Sequence, residues 1–202
     1  MTQQKIQSRR DRKKAAMQLL ITESAMNLFR KNGFDNTTME SIAEKADVAK
    51  RTLYSYFPVK EAIISAYWLQ NSQKKCALLP LLLESCPDTR SRLKTVFLDG
   101  AKGLKSEPEF ARIHFSYQFQ QISKSTQQLF RSDFNLFLIA VLEAGQKQGD
   151  VRNDLSASEL AAQTMLNFTA ICLMWFSSPD LFSLDERLAH TVDCFIDGVG
   201  KE

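Results

Sequence analysis

Within residues 37–61 the apolar side chains are spaced for two short helices meeting at a tight corner, which restricts the local fold more than any other stretch. Thr37-x-x-Glu40 has the form of a capping box: the threonine hydroxyl accepts from a backbone N–H three residues on, and the glutamate reaches back to the cap. Ile42, Ala43 and Ala46 fall on one face, and Ala43 is small enough to let a second helix cross closely. Ala46-Asp47-Val48 is the expected turn, with Val48 plugging the corner. A second helix is expected over 49–56, with Leu53 and Phe57 inward and Lys50, Arg51, Thr52, Tyr54 and Tyr56 outward. When such a pair binds DNA, the second helix enters the major groove. Arg51 and Lys50 can donate to guanine O6 and N7 there, while Thr52 and the tyrosine hydroxyls suit phosphates. A helical hairpin with a merely solvated outer face would show the same pattern.

Charge separates the two cases. Residues 1–60 hold twelve Lys/Arg against six Asp/Glu, a balance of +6, whereas the whole chain is +3, so the remainder carries −3. A polyanion is therefore expected at one end only. A basic arm, Lys5–Lys14, precedes a helix over 12–31 with an apolar face at Leu20, Ile21, Ala25, Leu28 and Phe29, closed by Asn32-Gly33. This supplies the third helix that the pair needs to bury its inner side. Lys60 opens the next helix, where its ammonium and the helix N-terminus can both meet a phosphate.

Leu28-Phe29-x-x-x-Gly33-Phe34, Thr37-Thr38, Ile42-Ala43-x-x-Ala46, Val48, Thr52-Leu53-Tyr54-x-Tyr56-Phe57 and Lys60-Glu61 together resemble the N-terminal signature of the TetR/AcrR family of transcriptional regulators. The resemblance covers about residues 15–65. It implies a three-helix DNA-binding domain, a linking fourth helix, and a helical C-terminal domain that binds an inducer and dimerises. The DNA contacts it implies are Thr38, Lys50, Arg51, Thr52, Tyr54, Tyr56 and Lys60. Three positions depart from the family pattern: Asp47 stands where glycine is usual, and Ala49 and Val59 replace capping hydroxyl residues. Loss of such a cap costs about 1 kcal/mol.

The fold class expected for the whole chain is all-α: a helix-turn-helix domain over 1–59 (basic arm 1–11), a linking helix over 60–83, and a helical ligand-binding and dimerisation domain over 84–202. Downstream helices are expected over 88–104, 108–121, 124–148, 157–176 and 184–199, with Pro80 kinking or ending the linking helix. The amino terminus is basic without an apolar run, and the window 165–176 is too short to span a bilayer, so a soluble cytoplasmic protein is expected. The helix 157–176 carries more apolar surface than one stripe, and with 184–199 it could form a four-helix seam between two chains, using Phe168, Cys172, Leu188, Val192, Phe195 and Val199. A helix central to a large monomer would look the same. A homodimer would place two recognition helices on a palindromic double-stranded operator.

Large rings crowd the middle helices: Phe97, Phe110, Phe115, Tyr117, Phe119, Phe130, Phe134, Phe137, Phe168, Trp175 and Phe176. With polar tips among them, Phe97, His114, Tyr117, Phe134, Asn167, Phe168 and Trp175 are the candidate lining of a pocket for a small apolar or aromatic inducer, although each also suits a plain core. An inducer would tilt the linking helix and change the separation of the recognition helices. Repression is the sense of regulation that the resemblance implies. Cys76, Cys86, Cys172 and Cys194 show neither C-x-x-C pairing nor histidines at metal spacing, so neither metal nor cofactor is expected, and a redox-responsive regulator is the alternative they leave open. A helical enzyme is a second alternative, though the chain has no phosphate-binding glycine loop, H-E-x-x-H or G-x-S-x-G. A third is nucleic-acid binding without sequence preference, which only a specificity ratio would distinguish.

Overall fold

The computed structural model describes residues 8–124 and 132–200. Among these residues it contains ten helices and no strand, the one β-type pairing being an isolated antiparallel bridge between Val151 and Gly200. The helices are α1 (Arg9–Asn32), α2 (Met39–Lys45), α3 (Lys50–Tyr56), α4 (Lys60–Cys76), α5 (Leu79–Ser85), α6 (Thr89–Ser106), α7 (Pro108–Lys124), α8 (Asp133–Gln148), α9 (Ala157–Ser177) and α10 (Leu184–Val199). The chain divides into two compact units, residues 1–67 and 68–202, with the boundary inside α4.

In the first unit, α1 begins three residues earlier than the apolar pattern suggests. Ser8 caps it in a reciprocal box with Asp11, so Arg9, Arg10 and Lys13 belong to a helix rather than to an arm. Lys5 lies outside the described residues. Gly33 ends α1 at φ 85°, a conformation that favours glycine, and its N–H donates to the Phe29 carbonyl. The core is Ile21, Ala25, Met26, Phe29, Ile42, Ala43, Leu53 and Phe57, all buried. Leu20, expected on that face, is 45% exposed, and Met26 fills its role. The cap of α2 is Thr38, paired with Ser41, and not Thr37 with Glu40. Thr37 is buried, and its hydroxyl donates to the Gly33 carbonyl at 2.8 Å. Two adjacent threonines both satisfy the local cap pattern; burial of Thr37 against the end of α1 selects the second.

The linking helix expected over 60–83 is two helices. α4 ends at Cys76, and Pro80 lies in the first turn of α5, where its missing N–H loses no helical bond. The second unit packs α6 through α10 around Leu93, Phe97, Leu138, Leu142, Leu160, Phe168, Leu188 and Val192. Asp150 fixes one end of this core: its carboxylate accepts from the Thr89 N–H at 2.6 Å and the Thr89 hydroxyl at 3.0 Å. α8 passes so close that a Cβ on Gly145 would meet Thr89 Oγ1 at 2.1 Å, which only glycine avoids. Buried Arg92 donates to the Cys86 carbonyl at 3.1 Å, placing a cation at the C-terminal end of α5, where the helix dipole favours it. Part of the span 124–148, expected to be one helix, lies outside the described residues, as does Phe130.

Helix α9 has 21 residues and is apolar and long enough, by length and composition, to cross a bilayer, contrary to the short window read from the sequence. Eight of its residues are instead buried in the core of the second unit.

Candidate nucleic-acid interface and effector core

Leu53 is fully buried and Phe57 nearly so, which sets the rotation of α3. That rotation leaves Lys50, Arg51 and Tyr54 exposed and Thr52 and Tyr56 half-buried, while Thr38 is exposed at the start of α2. Asp47 makes the turn at φ 52°, so an aspartate occupies the left-handed conformation where glycine is usual. The Val48 N–H donates to the Ala43 carbonyl and Val48 is half-buried, closing the corner. Ala49 caps α3 without a side-chain hydrogen bond. Lys50 sits 3.4 Å from Glu40; the Glu40 carboxyl lies below its usual range, first through a backbone hydrogen bond and then through Lys50. Both side chains are largely exposed, so the pair is worth little and Lys50 can leave it for a phosphate.

A second cationic surface belongs to the same unit. Arg9, Arg10, Lys13 and Lys14 of α1 line an open groove of about 1000 Å³ together with Asp11, Ser55 and Tyr56. The sequence reading placed charge at this end but not its convergence with the end of α3. The spacing held the signal: positions 9, 13 and 10, 14 are each one helical turn apart.

Lys60 differs from the other expected contacts. Its ammonium donates to the Phe34 carbonyl at 2.7 Å and lies 4.4 Å from the centre of the Phe34 ring. It braces the loop after α1, and only its remaining N–H groups could face a phosphate. Arg30 makes a comparable brace, donating to the Tyr67 hydroxyl at 2.9 Å.

In the second unit five of the seven expected pocket residues join one ring network. Phe97 and Phe134 lie 4.8 and 5.8 Å from Phe168; Phe168 reaches Phe115 at 6.2 Å; Phe115 meets His114 edge-on at 5.4 Å and Phe176 at 5.7 Å; and Trp175 lies 5.4 Å from Phe176. Trp68 stacks on His114 at 6.0 Å. Its position in α4 kept it off the sequence-based candidate set. Tyr117 is half-buried; Asn167 is exposed and lines a cleft with Leu93, Phe97, Thr164 and Thr191 that has no room for a water molecule. Burial holds the His114 imidazole neutral, with its pKa lowered to about 4, and its buried Nδ1 has no hydrogen-bond partner among the described residues. Phe97 and Phe168 pack tightly as core, so an effector would have to part them.

The expected subunit seam needs correction. Cys172 and Leu188 are fully buried, Val192, Phe168 and Val199 nearly so, all within this chain's own core, and Phe195 is half-buried against it. Of the six, only Phe195 keeps surface that a second copy could meet. An apolar stripe does not reveal whether its own domain or another copy covers it, and here its own domain does. The apolar residues of α9 that remain outside are Leu166, 50% exposed, and Met174, 57% exposed, with Ala170 between them. On α10 the outer positions include His190 and Cys194. Burial pushes the thiols of Cys76 and Cys172 upward in pKa, away from the thiolate that oxidation requires.

A helix-turn-helix unit with a cationic outer face has the form of a DNA-reading domain. Residues 21–67 match the family profile described as bacterial regulatory proteins, tetR family. The HTH-type transcriptional repressor KstR2 of Rhodococcus jostii is 20% identical over 189 residues, 90% of each protein. Among solved structures, FadR of Thermus thermophilus, a TetR family transcriptional repressor in complex with lauroyl-CoA, superposes with a TM-score of 0.80 at 24% identity, covering 90% of this chain and 94% of FadR. FadR of Bacillus subtilis, in complex with stearoyl-CoA, gives a TM-score of 0.63 at 15% identity over 90% and 98%. The family match covers the helix-turn-helix region, and the likeness to the FadR proteins over most of the chain is one of fold.

Proposed function

We propose that this regulator binds a palindromic operator as a homodimer and represses transcription in the cytoplasm until a small apolar effector enters the ring network of its second unit. The observation that carries the DNA side is the exposed face of α3, where Lys50, Arg51 and Tyr54 are held outward by the burial of Leu53. Thr38, Thr52 and Tyr56 flank that face, and the Arg9–Lys14 groove adds cations to hold the backbone of the same duplex. Selection of bound fragments from random DNA tests the proposal: a symmetric consensus protected in footprinting is expected, and equal affinity for all fragments would leave only a non-specific binder.

The effector side rests on the aromatic network around Phe168, a lining suited to an apolar chain or ring, with His114 as its buried acceptor. The lauroyl-CoA and stearoyl-CoA held by the two FadR proteins make a fatty acyl chain the first ligand to test. Such a ligand acts only through different affinity for the DNA-competent and DNA-incompetent arrangements. Lauroyl-CoA should raise the melting temperature and release the operator fragment; a raised melting point with unchanged DNA affinity would remove it as an inducer. The dimer proposal rests on Leu166, Ala170 and Met174, an apolar outer strip on α9. Met174→Glu should give monomers in sedimentation, and an unchanged dimer would place the seam elsewhere.

A further inference from the structure

We propose that the effector carries an uncharged hydroxyl recognised by His114 Nδ1, a step that rests on an apolar effector entering the ring network as proposed above. His114 as a residue is half-buried, yet its Nδ1 is closed off from solvent and has no hydrogen-bond partner among the described residues. Nε2 is not orphaned in this way. A neutral imidazole offers one donor and one acceptor, and a buried N–H is seldom left unpaired. The proton therefore belongs on Nε2, and Nδ1 is a bare acceptor. The rings that meet His114 are Trp68, stacked at 6.0 Å, and Phe115, edge-on at 5.4 Å. A buried water wants about three hydrogen bonds, and aromatic carbon supplies none of them. An alkyl or aryl hydroxyl suits the place better: its O–H donates to Nδ1 while its apolar body packs on the rings. A carboxylate has no hydrogen to give, and a neutral imidazole offers it no ion pair. A plain acyl thioester has none to give at its head either.

Room for such a molecule lies along α6. A Cβ on Gly100 would stand 3.4 Å from Phe168 Cζ, and one on Gly103 would stand 3.7 Å from Trp68 Cζ3, both ordinary contact distances. Neither glycine has a positive φ, so the backbone does not demand glycine at these positions, and each weakens the helix relative to alanine. What the pair supplies is a bare strip of helix behind two rings. Those rings flank the His114–Phe115 pair: Trp68 stacks on His114, and Phe168 reaches Phe115 at 6.2 Å. A ring backed by glycine can slide against the helix as a ligand enters, without displacing a side chain behind it. The unpaired nitrogen and the bare strip thus converge on one place.

The full chain and its selected operator fragment are titrated with two matched pairs of probes: para-butylphenol with its methyl ether, and octanol with its methyl ether. Each ether keeps the apolar body and loses only the O–H. Trp68 and Trp175 are the only tryptophans, so in Trp175→Phe the emission reports on the ring stacked against His114. At least one hydroxyl probe should shift that emission, release the operator and bind about tenfold more tightly than its ether. Which one does so tells an aryl source from an alkyl one. His114→Phe should bind alcohol and ether equally, whereas His114→Asn, whose amide oxygen stands in for the Nδ1 acceptor, should keep the preference. Gly103→Ala, checked for cooperative melting, should weaken alcohol and ether alike; unchanged affinity for both overturns the placement. Equal affinity of the unaltered chain for alcohol and ether, or a preference that survives His114→Phe, overturns the hydroxyl and leaves the effector core standing. Silence from both alcohols overturns it too. Lauroyl-CoA in the same assay then decides the wider reading: operator release with a shift in Trp68 emission keeps an apolar effector, and silence from every compound removes it.

Discussion

In the first unit the side chains that carry the chemistry face outward from a small core; in the second the rings that could meet an effector face inward and are themselves the core. The difference inverts what a substitution does. Around α3 an outer residue such as Arg51 can be removed without touching Leu53 or Phe57, so affinity and stability are separable. Around Phe168 they are not, because Phe97, Phe115 and Phe134 pack on the ring that an effector would displace. A DNA-reading surface can be tuned one residue at a time, whereas an effector core must exchange one packing for another.

The strongest break of this contrast is a pair of core truncations. Phe97→Ala should cost about 3–5 kcal/mol and Leu53→Ala about 2–5 kcal/mol, the spread reflecting how far each site can collapse. Chemical denaturation should show Leu53→Ala unfolding the first unit and abolishing DNA binding while the second unit still melts cooperatively. One merged transition in both variants would mean that the two units are not separable in stability.

Next in size is Arg51→Ala, with a loss of about 1–3 kcal/mol on the selected operator and little change in melting temperature. Equal losses on operator and random DNA would reassign Arg51 to the backbone. A smaller effect separates the units by pH. His114 is held at about 4 against an ordinary 6.5 by burial. Between those values the unfolded chain binds a proton that the folded chain does not, so this contribution to stability is intact above pH 6.5 and is lost as pH falls toward 4. His114→Phe keeps a ring and should flatten that slope; an unchanged slope would assign the acid sensitivity to other groups. Smallest is Ala49→Ser, which restores a cap and should raise the stability of the first unit by about 1 kcal/mol, seen as a shifted denaturation midpoint.

The same contrast governs what was legible in the sequence. The turn at Asp47, the inward Leu53 and the outward Lys50–Tyr54 face follow from offsets fixed by helix geometry, and α10 ends where its apolar period ends. The cap of α2 was misplaced by one residue because Thr37 and Thr38 both satisfy the local rule, and only burial decides between them. The break between α4 and α5 was marked by Pro80, but a proline fits a kink and a first turn equally well. Leu188, Val192 and Cys172 were misassigned to a seam because periodicity gives a face and not its partner. Trp68 could not be placed beside His114, since they lie 46 positions apart with two helices between theirs.

Lys60 carries a last implication. Its ammonium is committed to the Phe34 carbonyl and the adjacent ring, so acylating it would remove a staple as well as a charge. The modified regulator would loosen at the loop between α1 and α2 before it lost any grip on a phosphate. Raised proteolytic nicking of that loop, more than a reduced salt slope in DNA binding, would be the mark of its neutralisation.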